Sequence, residues 1–186
     1  MIKAIISESI KNHQKVVTKF DNDLIEKAAE IILTALKNGN TLFWCGNGGS
    51  AAEATHLSAE LVGGMYKNKK PPFKSVCLNV DSSFITAWSN DDSYENIFVR
   101  QLEALSSPGD ILIALSTSGN SENIIKAASF SQENKLKVIS LTGNNGGMLK
   151  KYSSVNINVN SDSTQRIQEL HLLIGHIICD IVEQLF

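Results

Sequence analysis

The chain has 186 residues, and since a typical domain has roughly 150 residues, one domain is a better expectation than two. With 42% apolar residues, 19% charged residues, 3 prolines and 12 glycines, the composition excludes a disordered, collagen-like or repeat protein. The 17 basic and 19 acidic residues give a net charge of −2, so neither nucleic acid nor an anionic membrane surface is an expected partner.

Two further features bear on location and redox chemistry. No apolar run approaches the roughly 18 residues that span a bilayer, and the N-terminus lacks a basic segment followed by an apolar one. We therefore expect a cytoplasmic protein without a membrane partner. The three cysteines, Cys45, Cys77 and Cys179, are odd in number and far apart. They predict neither a disulfide framework nor a thiolate zinc site, and each is interpreted as a buried apolar side chain.

The first part of the chain has the periodicity of two amphipathic helices. Apolar residues recur at helical spacing over residues 2–20 and again from Leu24 to Ala35. We expect a helical pair over residues 1–38, packed on the rest of one domain that spans residues 1–186.

The remainder of the chain repeats a unit of strand, loop and helix. Short apolar runs predict strands at 41–45, 75–79, 110–115, 137–141 and 155–159. Helical spacing predicts helices at 51–65, 82–105 (interrupted near 90–92), 122–134 and 165–186. Five short strands that alternate with helices imply a parallel sheet covered on both faces, with its ligand crevice at the carboxyl ends of the strands.

Two polar loops follow predicted strands and both suit an anion. The glycine loop, residues 46–50, brings backbone N–H groups close to a ligand, and the hydroxyl loop, residues 116–121, has four hydroxyl side chains before a helix. The glycine loop is not followed by the Gly-Lys-Ser/Thr of a P-loop, which disfavours nucleotide hydrolysis. The second strand does not end in the acidic residue that binds the ribose of NAD, which disfavours NAD binding. A single loop of this kind would be explained by helix capping, but two such loops in one sheet favour the binding of a sugar phosphate or polyol phosphate.

Histidine and carboxylate side chains lie close to these loops in the sequence. His56 and Glu60 are four residues apart on the helix after the glycine loop, so they share a helix face and are candidates for catalysis or metal binding. His171 and His176 are five apart, about 140° around the last helix, so at most one should face a given site.

Five spaced motifs carry a resemblance to a known family. They are CGNGGSA from Cys45, HLSAELVG from His56, STSGNS from Ser116, LTG from Leu141 and RIQELH from Arg166. Together they resemble the sugar isomerase (SIS) domain family, from the first helices to the last. The resemblance implies a flavodoxin-like three-layer α/β sandwich with a five-stranded parallel sheet, assembled as a homotetramer with active sites between subunits.

The resemblance also implies a reaction and a set of site residues. It is strongest to members that interconvert sedoheptulose 7-phosphate and D-glycero-D-manno-heptose 7-phosphate through an enediol, for bacterial lipopolysaccharide or capsule synthesis. It implies Glu60 as catalytic base and His176 as catalytic histidine, and zinc binding by His56, Glu60, Gln168 and His176. The substrate-binding positions it implies are Asn47, Gly48, Gly49, Ser50, Asp91, Ser116, Thr117, Ser118, Ser121 and Gln168. The chain departs from the family at Gly64, often Arg, and at Gln165, often Asp.

Helix geometry constrains the implied zinc site. Gln168 and His176 are eight residues apart, about 12 Å along an unbroken helix, which is far for two ligands of one metal. The helix is distorted, or the two residues come from different subunits, or Gln168 is not a ligand. Since the resemblance implies sites between subunits, we expect a shared site in which His56 and Glu60 of one chain meet His176 of a neighbour.

Two alternatives come from other functional classes. A SIS-fold adaptor that binds the bacterial replication initiator keeps both loops without the catalytic pair, but Glu60 and His176 are present here. A sugar-phosphate sensor normally carries a DNA-binding domain, and none fits within this length. We therefore expect an aldose-ketose isomerase.

Overall fold

The computed structural model describes residues 1–19, 21–66 and 71–186, which form a five-stranded sheet flanked by helices. The described helices are α1 (Ile2–Val17), α2 (Asn22–Lys37), α3 (Gly49–Gly63), α4 (Ser82–Asp91), α5 (Ile97–Leu105), α6 (Glu122–Glu133) and α7 (Thr164–Leu185). The described strands are β1 (Leu42–Cys45), β2 (Ser75–Cys77), β3 (Ile111–Ser116), β4 (Lys137–Gly143) and β5 (Val155–Val159). Phe20, at the end of the first predicted helix, lies outside the described residues.

The strands are all parallel, in the order β2-β1-β3-β4-β5. Strand β1 lies between two neighbours, and its Leu42 is in register with Ser75 of β2 and with Ile111 of β3. The chain extends the sheet one way from β1 to β2 and the other way from β3 to β5, so the order reverses between β1 and β3. In open α/β sheets a ligand crevice forms at this reversal, outside the carboxyl ends of the strands.

Alternate residues of the strands divide the core into two layers, one on each face of the sheet. Leu42 and Trp44 of β1 pack with residues of α2, α3 and α7, whereas Phe43 and Cys45 pack with residues of α5 and α6. Because side chains alternate between faces, a strand covered on both sides is apolar throughout, and all four residues of β1 are buried. The predicted three-layer α/β sandwich is confirmed.

Helices α3 and α7 pack closely side by side. A Cβ atom on Gly175 of α7 would overlap the side chain of Leu57 of α3, so a side chain at position 175 would push the two helices apart. The Cys179 thiol contacts the Leu57 carbonyl oxygen at 3.9 Å, one turn further along. Gly49 at the start of α3 lies beside Gln168, and Gly64 just after its end lies beside Glu183. The two helices therefore run in the same direction, and successive turns of α3 meet successive turns of α7.

The element ends differ slightly from the predicted ones, for local reasons. Strand β2 ends at Cys77 instead of residue 79, because the Asn79 amide turns towards Gly46 and bonds both its N–H (3.1 Å) and its carbonyl oxygen (2.9 Å). Helix α3 begins at Gly49 instead of Ala51, so the second half of the glycine loop is the first turn of the helix. The predicted interruption near residues 90–92 separates α4 from α5.

The N-terminal helices attach to the sheet unequally. Helix α2 buries six side chains against the core, but α1 buries none. Helix α1 is held to α7 by His13, whose Nδ1 lies 2.6 Å from Glu169 Oε2, and by Arg166, which donates to the Ser9 carbonyl oxygen at 2.7 Å. Within the described residues, no helix combines the length and apolarity needed to cross a bilayer.

The three cysteines are free and buried, as predicted. Burial raises the pKa of Cys45 far above its usual range and that of Cys179 to about 12, because a thiolate is poorly solvated in the core. Both thiols are therefore uncharged, unreactive packing groups at neutral pH.

Candidate active site

The two predicted loops form one cavity at the reversal point of the sheet. The glycine loop follows β1 and the hydroxyl loop follows β3, and these strands are neighbours. The cavity has a volume of about 320 Å³. It is lined by Asn47, Gly48, Gly49, Ser50, Leu115, Ser116, Thr117, Ser121, Thr164 and Gln168.

The cavity wall offers neutral hydrogen-bond donors to an anion. The backbone N–H groups of Gly48 and Gly49 have no hydrogen-bond partner among the described residues, and they lie at the N-terminus of α3. Ser116 Oγ and Ser121 Oγ are 3.1 Å apart, so both hydroxyls point to the same wall. None of the described lining residues is basic. An anion here would be held by oriented dipoles and by the helix terminus rather than by a salt bridge.

Gln168 lies at this cavity and contacts the glycine loop. Its side-chain amide occupies the space beside Gly49, where a Cβ atom would overlap it. A side chain at position 49 would therefore displace the Gln168 amide from the cavity.

Two of the predicted substrate-binding residues lie elsewhere. Ser118 lines a neighbouring cavity of about 430 Å³, and its Oγ accepts a hydrogen bond from the Asn120 N–H at 3.1 Å. Asp91 is an exposed residue at the end of α4, and its carboxylate accepts from the Asn90 amide at 2.8 Å. Neither lines the cavity that the other predicted positions share.

A second cluster, His56, Glu60 and His176, lies further along α3 and α7. His56 Nε2 is 2.9 Å from His176 Nε2 and 3.4 Å from Glu60 Oε1, and the two rings meet edge to face with centroids 5.1 Å apart. One imidazole must donate to the other, because two nitrogens with hydrogens would repel. We call these three residues the His–Glu–His cluster.

The cluster overturns the expected division of residues between chains. His176 of the same chain meets His56 and Glu60, so a neighbouring chain is not needed to supply it. Because α7 is continuous from Thr164 to Leu185, a distorted helix does not bring Gln168 to His176 either. The expectation that His176 comes from a neighbour was wrong, because the side-by-side packing of α3 and α7 brings His176 to His56 within one chain.

The donor set of the cluster fits zinc. One ligand atom from each residue lies within 4.8 Å of the others, and two imidazole nitrogens with one carboxylate oxygen are typical zinc ligands. Tetrahedral ligands about 2 Å from zinc lie roughly 3.3 Å apart, so the two Nε2 atoms would separate by a few tenths of an ångström to admit an ion. The side chains are partly exposed, 48% for His56 and 26% for Glu60, which leaves room for water or a sugar oxygen.

His171 faces away from this cluster, as its spacing from His176 predicted. It is buried, its Nε2 donates to the Thr142 carbonyl oxygen at 3.1 Å, and burial lowers its pKa to about 4. The ring is therefore neutral at pH 7 and has a structural role between α7 and β4.

Four polar residues near the site were not found from the sequence. Asn79, Tyr94 and Asn123 hold the glycine loop, and Glu53 is buried on α3 one turn after Ser50. Burial raises the pKa of Glu53 to about 7, and its Oε2 has no partner among the described residues. Only the buried Glu53 gave a sequence signal, an acid three residues after a loop serine on a helix with apolar neighbours.

Comparison with known proteins identifies the class. A sequence profile of the SIS domain matches residues 7–143, and the chain belongs to the SIS domain family.

Within that family the similarity is to one kind of enzyme. The chain is 47% identical over 160 residues to the phosphoheptose isomerase of Akkermansia muciniphila, covering 86% of this chain and 84% of that one. It is 44% identical over 186 residues to that of Aliarcobacter butzleri, covering 98% and 97%. A solved phosphoheptose isomerase from Francisella tularensis superposes with a TM-score of 0.90 at 34% identity, covering 98% of this chain and 96% of the other. The chain is a member of the phosphoheptose isomerases, and hence an isomerase.

Proposed function

We propose that the protein converts sedoheptulose 7-phosphate to D-glycero-D-manno-heptose 7-phosphate by proton transfer through an enediol. The observation that carries the proposal is the His–Glu–His cluster on the same two helices as a cavity suited to phosphate. The sequence similarity to phosphoheptose isomerases favours an enzyme acting on this class of substrate over an adaptor or a sensor.

The spacing of the two regions suits a long sugar. Gln168 at the cavity and His176 in the cluster are about 12 Å apart along α7. With carbon–carbon bonds of about 1.5 Å, an extended seven-carbon sugar phosphate reaches roughly 10 Å from C1 to phosphorus. Phosphate bound at the cavity would therefore leave C1 and C2 near the cluster.

Each part of the site has a separate task. The Glu60 carboxylate takes a proton from C1 of the ketose and returns it to C2, and the His176 imidazole exchanges a proton with the sugar oxygens. The phosphate is bound at the cavity by Gly48, Gly49, Ser50, Ser116, Thr117 and Ser121, with Asn47 holding the glycine loop and Gln168 on the sugar. Ser118 and Asp91, which the family pattern also assigns to the substrate, lie outside this cavity. Zinc would be held by His56, Glu60 and His176 and would polarise the sugar oxygens when bound. Gln168, which the family pattern assigns as a fourth ligand, lies at the cavity about 12 Å away from His176 along α7 and is assigned to the sugar instead.

The proposal extends to assembly and pathway. The protein acts in the cytoplasm as a homotetramer with sites between subunits, and its product enters lipopolysaccharide or capsule synthesis. Helix α1 exposes several apolar residues, which include Ile2, Ile6 and Ile10. These residues support assembly, because a group of exposed apolar side chains normally marks a contact with another protein chain.

The decisive experiment follows sedoheptulose 7-phosphate by NMR in D₂O. We expect aldose signals to appear, with deuterium at C2 of the product because the proton on Glu60 exchanges with solvent before its return. Glu60→Gln is the matched control and should produce neither. A wild-type protein that binds the sugar phosphate without converting it would favour the sensor alternative and contradict the proposal.

A further inference from the structure

The Asn47 side chain, in the glycine loop, is held by two residues from other elements. Its Nδ2 donates to Asn123 Oδ1 at 2.8 Å, and Asn123 Nδ2 donates back to Asn47 Oδ1 at 2.9 Å. Tyr94 donates its hydroxyl to the same Asn47 oxygen at 2.8 Å. The two amides form a reciprocal pair, which we call the asparagine pair.

This arrangement leaves little of the Asn47 amide for a ligand. A carbonyl oxygen accepts two hydrogen bonds and both are made, by Asn123 and Tyr94. One of the two Nδ2 hydrogens is also used. Asn47 therefore contributes to the cavity mainly through the position of its backbone.

Asn123 is placed to link the two loops. It is only 3% exposed, lies in the first turn of α6 two residues after Ser121, and its Oδ1 also accepts from the Ile124 N–H at 3.0 Å. A buried amide with all these bonds has one orientation, because any other leaves a buried donor or acceptor unpaired. The start of α6, which carries the hydroxyl loop, is thus tied to the glycine loop at the start of α3.

We infer that Asn123 is a positioning residue for the isomerase reaction, which through Asn47 fixes the glycine loop relative to the hydroxyl loop so that both face one phosphate group. The Gly48 and Gly49 N–H groups, which have no partner in the described part of the chain, are then oriented before the anion binds, and no binding energy is spent on ordering the loop. The inference rests on the proposed function only for the identity of the sugar.

The kinetic test is a double-mutant cycle of Asn47→Ala, Asn123→Ala and the double variant. Each single variant should raise KM for the sugar phosphate by about tenfold, the loss expected when a buried hydrogen-bonded pair is broken, with kcat changed little. Since both substitutions remove the same pair, the double variant should be no worse than either single variant. Additive increases in KM would show that Asn123 does not act through Asn47 and would overturn the inference.

A second measurement needs no substrate. Hydrogen exchange read by mass spectrometry should be faster in a peptide covering residues 46–51 in Asn123→Ala than in wild type, because the Gly46, Ser50 and Ala51 N–H groups depend on the loop geometry. The matched control is Asn134→Ala at the exposed end of the same helix, where the amide bonds only the Phe130 carbonyl oxygen. Unchanged exchange in Asn123→Ala would contradict the inference.

Calorimetry with inorganic phosphate separates this inference from the proposed function. If wild type binds phosphate and Asn123→Ala binds it about tenfold more weakly, the inference holds even where sedoheptulose 7-phosphate is not converted. If Asn123→Ala does not fold, Asn47→Ala breaks the same pair from its partly exposed side and must give the same exchange and phosphate results.

Discussion

The cavity and the His–Glu–His cluster lie on the same two helices but are built in different ways. The cavity consists of backbone N–H groups and short hydroxyl side chains, with no basic residue among its described lining. The cluster consists of long titratable side chains on partly exposed helix faces. Binding thus depends on dipoles that the fold fixes, whereas chemistry depends on groups that gain and lose protons. A substitution in the cluster should therefore leave phosphate binding unchanged, and a substitution in the cavity should leave proton transfer unchanged.

The largest expected effect is that of Glu60→Gln. The amide keeps the size of the side chain but cannot take a proton, so kcat should fall by about 10²- to 10⁴-fold. Inorganic phosphate should bind as in wild type, because Ser50 at the cavity is about 15 Å from Glu60 along α3. Kinetics and calorimetry on the same sample check both statements, and activity within a few-fold of wild type would disprove the role of Glu60.

Mixing inactive variants tests which chain supplies which region. Since one chain supplies the whole cluster, mixtures of Glu60→Gln and His176→Ala chains should stay inactive. Mixing Glu60→Gln with a chain that carries Ser116→Ala and Ser121→Ala should lower KM below that of the serine variant alone if a cavity of one chain serves the cluster of another. Native mass spectrometry must first show that subunits exchange. Recovery in the first mixture would contradict the placement of the cluster within one chain.

The next effect concerns His171, the buried histidine of α7. The pKa of buried His171 is about 4 when folded and about 6.5 when unfolded, so the unfolded chain takes up a proton first as pH falls. The contribution of His171 to the free energy of unfolding is complete above pH 6.5 and falls by about 3 kcal/mol as the pH is lowered to 4. His171→Gln keeps a donor for the Thr142 carbonyl oxygen and should remove this decline in urea unfolding.

Glu53 changes the stability in the opposite direction to His171 over the same pH range. The two residues must therefore be substituted one at a time. Its pKa is about 7 when folded, above that of an unfolded glutamate, so the folded chain holds the extra proton and stability falls as pH rises from about 4.5 to 7. Glu53→Gln should therefore steepen the acid decline that His171→Gln removes. Parallel stability curves for wild type and both variants would contradict the two pKa shifts.

These elements show what the sequence could predict. The five strands follow from short apolar runs, the His56–Glu60 spacing from the helical period of 3.6 residues, and the two loops from glycine and serine content, which are all local properties. The meeting of His56 with His176, 120 residues later, depends on the packing of Leu57 against Gly175 and has no local signal. The asparagine pair is equally remote, since Asn47 and Asn123 are 76 residues apart. Ser118 was grouped with Ser116 and Ser121 by spacing, but the turn at Gly119, with φ of +65°, directs it to another cavity.

The smallest expected effect separates Ser121 from Ser118. Ser121 lines the cavity beside Ser116, so Ser121→Ala removes a hydroxyl that contacts the phosphate equally in the ground and transition states. KM should rise about five- to tenfold with kcat unchanged, which corresponds to the net value of about 1 kcal/mol for one hydrogen bond. Ser118→Ala is the matched variant from the same loop, and because its Oγ accepts from the Asn120 N–H and lines the neighbouring cavity, KM should rise less. Steady-state kinetics with sedoheptulose 7-phosphate measure both, and a larger rise for Ser118→Ala would place the phosphate in the neighbouring cavity instead.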